Sequence, residues 1–404
     1  MFQTPLPKEY AGLTPDQAAA RIRRAKKALG DRLIILGHHY QRDEIIEHAD
    51  YRGDSFKLAK MAAQHPEAEF IVFCGVHFMA ESADILTPDH MKVILPNLAA
   101  GCSMADMANL FQVRSAWKQL EQVLSFQSEI TPARTREPVL AAVAGRQSSV
   151  VSRHSSVVSR QSSVAGRRPL LPITYINSAA NLKAFVGERG GAVCTSTTAP
   201  NAVEWALQRA ERVLFFPDQH LGRNTGVKLG YDKDRDMCVW DPHKPMGGNT
   251  EEKIRQSKFI LWQGYCSVHT RFTVEQIEDA KAKYPDVNIL VHPECPYEIV
   301  QMAGFTGSTE FICKTVRDAE PGTAWAIGTE INLVNRLAKE HPDKTIFCLD
   351  SMICPCSTMY RIHPSFLCWT LENLVNGTPV NVVEVPEKTK RSAKLALDRM
   401  LSIT

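Results

Sequence analysis

The chain contains no apolar run approaching the roughly 20 residues of a membrane-spanning helix. Its opening, MFQTPLPKEYAGLTPDQ, lacks the basic and apolar blocks of a secretory signal. A cytoplasmic protein with no membrane partner is expected. Charge imbalance is also missing: the formal net charge is +3 over 404 residues, so nothing in the balance demands nucleic acid or an acidic surface. The close CxxC pairs of structural zinc sites and thiol redox motifs are absent as well. The 11 cysteines form an odd set without a secretory signal, which argues against a disulfide framework.

What is present is alternation. Short β-branched runs (RLIILGHHY, EFIVFCGVHF, LPITYIN, RVLFFPDQHLG, VNILVHPEC, TAWAIGTE, KTIFCLDSM) alternate with helical patterns such as TPDQAAARIRRAKKAL, the signature of βαβ units and parallel sheets. The length calls for two or three domains. Nearly every run ends in Gly, Asn, Ser, Thr, His, Asp or Glu. Ligands of open parallel sheets bind outside the carboxyl ends of the strands, although polar residues there are also ordinary turn formers. One segment breaks the pattern: around AGRQSSVVSRHSSVVSRQSSVAGRR, arginine returns at Arg146, Arg153, Arg160 and Arg167 in serine-rich text. Such a segment buries too little to offset its ordering entropy, so residues 126–170 are expected to form a disordered surface insertion.

Most cysteines read as small core residues, Cys74, Cys313 and Cys348 among them. Cys102, Cys266 and the Cys354–Pro355–Cys356 step differ in lying at strand ends, one in each third of the chain. Taken alone, they fit either incidental buried thiols or three ligands of one shared metal centre, since thiolate favours zinc, Cu(I) or iron–sulfur clusters. A disulfide between Cys354 and Cys356 would close a strained, easily reduced ring. Polar strand ends also collect His38 and Tyr40 in GHHY, His292 and Glu294 in HPEC, and hydroxyls in CTSTTAPN and TGSTEF. The last two also read as ordinary helix caps.

Together GHHYQRDEIIEHADYRGDS, LPNLAAGCSMADM, ITYINSAA, GYCSVH, HPECP, GSTEF, GTEINLVNRL and CPCSTM, in this order, resemble the quinolinate synthase A family over roughly residues 19–124 and 171–377. That resemblance implies three similar small α/β domains with parallel sheets around a pseudo-threefold axis, the active site at the centre. The segments would be 1–112 (with 361–404 packing back on it), 113–275 with the insertion, and 276–360. It implies a 4Fe-4S cluster, one per chain, whose open iron acts as a Lewis acid. The cluster would be held by Cys102, Cys266 and Cys354, the last chosen from the Cys-Pro step and its distance from Met359, with Cys356 its nearest rival. The implied reaction condenses iminoaspartate with dihydroxyacetone phosphate to quinolinate in de novo NAD biosynthesis. It also implies a functional link to the aspartate-oxidising enzyme that makes iminoaspartate. Glu294, Tyr40 and His38 carry catalysis in this reading. His38, Ser55, Tyr175, Ile176, Asn177, Ser196, His292, Pro293, Glu294 and Thr309 bind substrate. TSTTAPNA is longer than the family's usual step here, and the arginine repeat replaces a short link.

Overall fold

The computed structural model describes residues 3–126, 167–352 and 354–403; the expected disordered insertion falls, but for its ends, outside them. Three separate sheets form. The first runs, edge to edge, Val382–Val383, Lys92–Ile94, Phe70–Cys74, Leu33–His38 and Tyr51–Gly53, all parallel except the first pair. The second runs Ala192–Cys194, Leu171–Tyr175, Val213–Phe216, Phe259–Trp262 and Met237–Trp240, and the third Phe305–Thr306, Asn288–Val291, Ala324–Gly328 and Thr345–Cys348, both fully parallel. Helices cover both faces, which is why central strands such as Leu33–His38 and Phe70–Cys74 are buried at every position instead of alternating.

The helices begin where the local chemistry dictates. In Pro15–Leu29, Thr14 and Gln17 form a reciprocal capping box, proline occupies the first turn, and Ala18, Ile22, Ala25 and Leu29 make the buried stripe. Asp54, Ser308 and Glu330 likewise cap the helices Ser55–Ala63, Thr309–Asp318 and Ile331–Glu340. These three caps sit at strand exits, so the helix N-termini face the same region as the strand ends.

The first and second units share one continuous apolar core. The third keeps two cores of its own, one containing Ile289 and Val291 and the other Leu290 and Ile327. Polar contacts join the third unit to the first. Arg336, 5% exposed, donates to the carbonyls of His39 and Gln41 and pairs with Asp43, which Lys339 also meets. The loop after the first strand is therefore fastened to the neighbouring unit as well as to its own sheet, where the His39 N–H donates to the Gly53 carbonyl at 3.1 Å.

The C-terminal segment divides its contacts. Pro364–Val375 packs on Pro15–Leu29 and Val382–Val383 joins the first sheet, but Glu387–Ser402 lies chiefly against Ala180–Glu188 and Ala192–Cys194 of the second unit. The helix Leu110–Val123, which spans the expected boundary at residue 112, also packs on the second unit. At the crossing, a Cβ on Gly187 would lie 1.9 Å from the Ser392 carbonyl oxygen. Glycine is needed there because two helix backbones touch. Gly187→Ala should therefore lower stability by about 1–3 kcal/mol, read as a fall in the thermal midpoint; an unchanged midpoint would show that the two helices can part freely.

Candidate active site and metal centre

The strand ends of all three sheets open on one cavity. The first unit contributes His38, Tyr40, Asp54, Ser55 and Cys102; the second Tyr175, Asn177, Ser196, Cys266 and His269; the third His292, Glu294, Thr309 and Cys356. Met104, Val268, Phe78 and Met359 supply apolar wall. No lysine or arginine lines it among the described residues.

Glu294, 3% exposed, is the hub. One carboxylate oxygen accepts the Tyr175 hydroxyl at 2.5 Å and the other meets His269 Nδ1 at 2.8 Å. His269 Nε2 lies 3.1 Å from the Thr329 hydroxyl, which in turn is 2.8 Å from the Tyr40 hydroxyl. A chain of proton-bearing groups thus runs carboxylate, imidazole, threonine, tyrosine. It ends at Tyr40, on the cavity wall. The His269 and His292 rings stack at 4.4 Å, and the His38 ring meets Tyr40 edge-on at 4.8 Å.

Burial sets the protonation states. It drives His292 down to about 3, only partly opposed by Glu294. It drives His38 to about 3 as well, reinforced by His39 and His292. Both are therefore neutral imidazoles near neutral pH. Burial works against the Glu294 carboxylate, but the two histidines beside it and the hydrogen bonds from His269 and Tyr175 outweigh that and hold it low, at about 2. Desolvation and the Glu294 charge raise Tyr40 and Tyr175 well above the ordinary phenol, so both keep their protons at rest.

Three thiols border the same cavity: Cys102, Cys266 and Cys356. Burial pushes Cys102 up to about 12, with Cys356 contributing, and raises Cys266 well above its usual value, with Glu294 and Cys102 contributing. The sulfurs are thus within electrostatic reach of one another. Thiols this costly to ionise become thiolates only beside compensating positive charge, which is what a metal centre supplies. Three partly buried sulfurs from three units, with methionine and valine on the same cavity wall, fit the donor set of an iron–sulfur cluster. A mononuclear alternative exists, because ligand atoms of Cys266, His269 and Glu294 lie within 4.8 Å of one another. There, however, His269 and Glu294 already hydrogen-bond each other, which suits proton transfer better than shared coordination.

The structure separates Cys354, the expected third thiol, from its rival Cys356. Cys354 is exposed and off the cavity wall, whereas Cys356 is on it. The Cys356 N–H donates to Glu330 at 3.1 Å, and Gln41 grips the Met359 carbonyl at 3.2 Å. The turn from Cys356 to Met359 is thus pinned from two units, while Cys354 precedes it on the outside. Ile176 and Pro293 also fall away from the cavity. Ile176 is buried and donates to the Cys194 carbonyl, and the Pro293 carbonyl accepts from Asn224. His38, Tyr40, Ser55, Tyr175, Asn177, Ser196, His292, Glu294, Thr309, Cys102 and Cys266 are all brought together. His269 and Thr329 were missed by sequence reading; the only signal was their position at the polar strand ends in GYCSVH and GTE.

Comparisons with known proteins agree with this geometry. A family model described as Quinolinate synthetase A protein matches residues 20–402. A Quinolinate synthase of Corynebacterium glutamicum is 52% identical over 401 residues, covering 99% of this chain and 91% of the relative. One of Nocardioides sp. is 52% identical over 390 residues (95% and 88%), and one of Streptomyces coelicolor 50% over 387 residues (95% and 88%).

The histidine states can be checked by pH. A His292 that binds its proton near pH 3 when folded and near 6.5 when unfolded makes the unfolded chain the greater proton binder between those values, so folded stability falls as pH drops through that window. Between pH 6 and 4 the wild-type apoprotein should lose about 1.4 kcal/mol per pH unit more than His292→Asn. Equal slopes in denaturant titrations would mean that His292 is charged in the fold.

Proposed function

Because the chain belongs to the quinolinate synthase family, we propose that it condenses iminoaspartate with dihydroxyacetone phosphate, closes the ring and releases phosphate and water to give quinolinate for NAD biosynthesis. The observation that carries this is the convergence, on one cavity, of three thiols with a complete proton relay ending at Tyr40. We propose Cys102, Cys266 and Cys356 as the holders of a 4Fe-4S cluster. When bound, such a cluster supplies one iron without a protein ligand as a Lewis acid.

The chain's own residues account for binding and proton movement. Both reactants are anionic, yet no cationic side chain lines the cavity among the described residues. Helix starts supply the positive ends instead: Ser55 and Thr309 open the helices Ser55–Ala63 and Thr309–Asp318, and Ser196 lies three residues before Ala199–Leu207. Neutral His38 and His292 and the Asn177 amide offer donors to carboxylates. Asn177 Oδ1 has no hydrogen-bond partner among the described residues, so this oxygen is open to a donor on a ligand.

A proton is taken and later returned through the relay. As substrate loses a proton to Tyr40, the Tyr40 hydroxyl passes its own to Thr329, and the Thr329 proton moves to His269 Nε2. Glu294 keeps His269 Nδ1 hydrogen-bonded and stabilises the imidazolium that results. Running the chain in reverse delivers a proton to a departing hydroxyl. Such paired removal and return is what ring closure and dehydration need. A sensor built on the same scaffold would have no use for the relay, and this favours turnover. We place the enzyme in the cytoplasm, downstream of an aspartate-oxidising enzyme that yields iminoaspartate.

Three experiments test the reading. Anaerobically purified, brown protein given both reactants should form quinolinate; failure with a full cluster would overturn the assignment. Cys356→Ser should abolish the visible absorption of the cluster while Cys354→Ser retains it, and the opposite pattern would return the ligand role to Cys354. Thr329→Val, which keeps shape but removes the relay hydroxyl, should lower kcat by about 10²–10⁴-fold with iron content unchanged; a kcat within about threefold of wild type would show that protons bypass Thr329.

A further inference from the structure

GTEINLVNRL contains a carboxylate that neither binding nor proton transfer uses. Glu330 lies immediately after the strand Ala324–Gly328 and Thr329, is 0% exposed, and caps the helix Ile331–Glu340. Its Oε2 accepts the Asn332 N–H at 2.8 Å. Its Oε1 accepts the Cys356 N–H at 3.1 Å and the Asn332 side-chain amide at 3.1 Å. The same Asn332 amide donates to the Tyr40 carbonyl at 3.2 Å. One buried side chain therefore caps a helix, holds the backbone of a thiol residue and, through Asn332, holds the backbone of the tyrosine that ends the relay.

The second unit places a carboxylate at the corresponding strand exit. Asp218 comes after the strand Val213–Phe216 and Pro217, is 0% exposed, and caps the helix Gln219–Lys228 by accepting the Leu221 N–H at 2.8 Å, while its other oxygen has no hydrogen-bond partner among the described residues. The backbone N–H of its neighbour Gln219 donates to the Gly264 carbonyl at 2.9 Å, which ties the Cys266 loop to the same helix start. The first unit has no counterpart: the residue before its helix His77–Leu86 is Val76, with no side-chain cap. A helix cap needs only a short acceptor aimed at its own first turn. Reaching across to the backbone of a thiol residue from a different strand, as Glu330 does, is additional to capping.

We propose that Glu330 is a positioning residue for the cluster ligand Cys356, its buried carboxyl fixing the thiol through the N–H of the cysteine itself. This rests on the ligand set proposed above. Glutamate at residue 330 has the length to serve both the helix and the loop. Aspartate, a good cap, keeps the helix contact but withdraws by one methylene from Cys356.

The variant Glu330→Asp separates the two roles. Reconstituted anaerobically beside wild type, it should keep wild-type secondary structure and a thermal midpoint close to that of Thr273→Ala, which removes the cap of the helix Val274–Lys283. It should nevertheless surrender its iron to a ferrous chelator at least about tenfold faster, and the electron paramagnetic resonance spectrum of its reduced cluster should shift. Thr273→Ala should release iron at the wild-type rate. If Glu330→Asp releases iron as slowly as wild type with an unaltered spectrum, the inference is overturned. Should Glu330→Asp not fold, Glu330→Gln carries the same test: it is isosteric and leaves one oxygen where the carboxylate used two. Absence of any cluster from the wild-type protein would instead defeat the underlying ligand assignment, so the two failures are told apart.

Discussion

The site depends on one buried carboxylate held in its charged state. Glu294 has lost its water, and an unpaired ion in that position would cost several kcal/mol. Tyr175 from the second unit and His269 from the loop that also bears Cys266 remove that cost by donating to it. Through His269 and Thr329 the same charge reaches Tyr40 of the first unit. The three units are thereby fixed in register by hydrogen bonds whose geometry is also the proposed route of a proton. Structure and chemistry use the same atoms.

This explains why the third unit is attached differently from the other two. The first and second share a core and are clamped further by Glu387–Ser402. The third meets the first through Arg336, Asp43, Asn332 and Tyr40, polar contacts that specify position more narrowly than area burial does. Positions are what the cavity requires there, because Tyr40, Thr329 and Cys356 must meet across that seam. Loop exits rather than strands carry all three, and each is tied down by a neighbour from another part of the chain.

Much of this was legible in the sequence. The α/β repeat, the polar strand ends, Cys102, Cys266 and nearly the whole set of cavity residues could be read from runs and motifs, since parallel strands deliver their C-terminal loops to one side of the sheet. The choice between Cys354 and Cys356 was not legible, because two cysteines separated by one proline look alike in text; what distinguishes them is Glu330 and Gln41, which reach Cys356 and Met359 from 26 and 318 residues away. His269 and Thr329 were hidden for the same reason. A lone histidine after a cysteine, or a threonine before a glutamate, gains its meaning only from a partner on a different unit. The docking of Glu387–Ser402 on the second unit was equally invisible, because its small buried residues, Ser392, Ala393 and Ala396, read only as a helix face. Ile176 and Pro293 were drawn in by their neighbours, although alternate residues at a strand exit face away from one another.

The central claim is that thiols from three units meet at one centre beside the Glu294 relay. A crystal structure of the anaerobically prepared protein, with anomalous data at the iron edge, tests it most directly. The account predicts a single iron peak bonded to the sulfurs of Cys102, Cys266 and Cys356, with Tyr40 and Glu294 on the open side. Iron bonded to Cys354, or a peak away from this cavity, would contradict it.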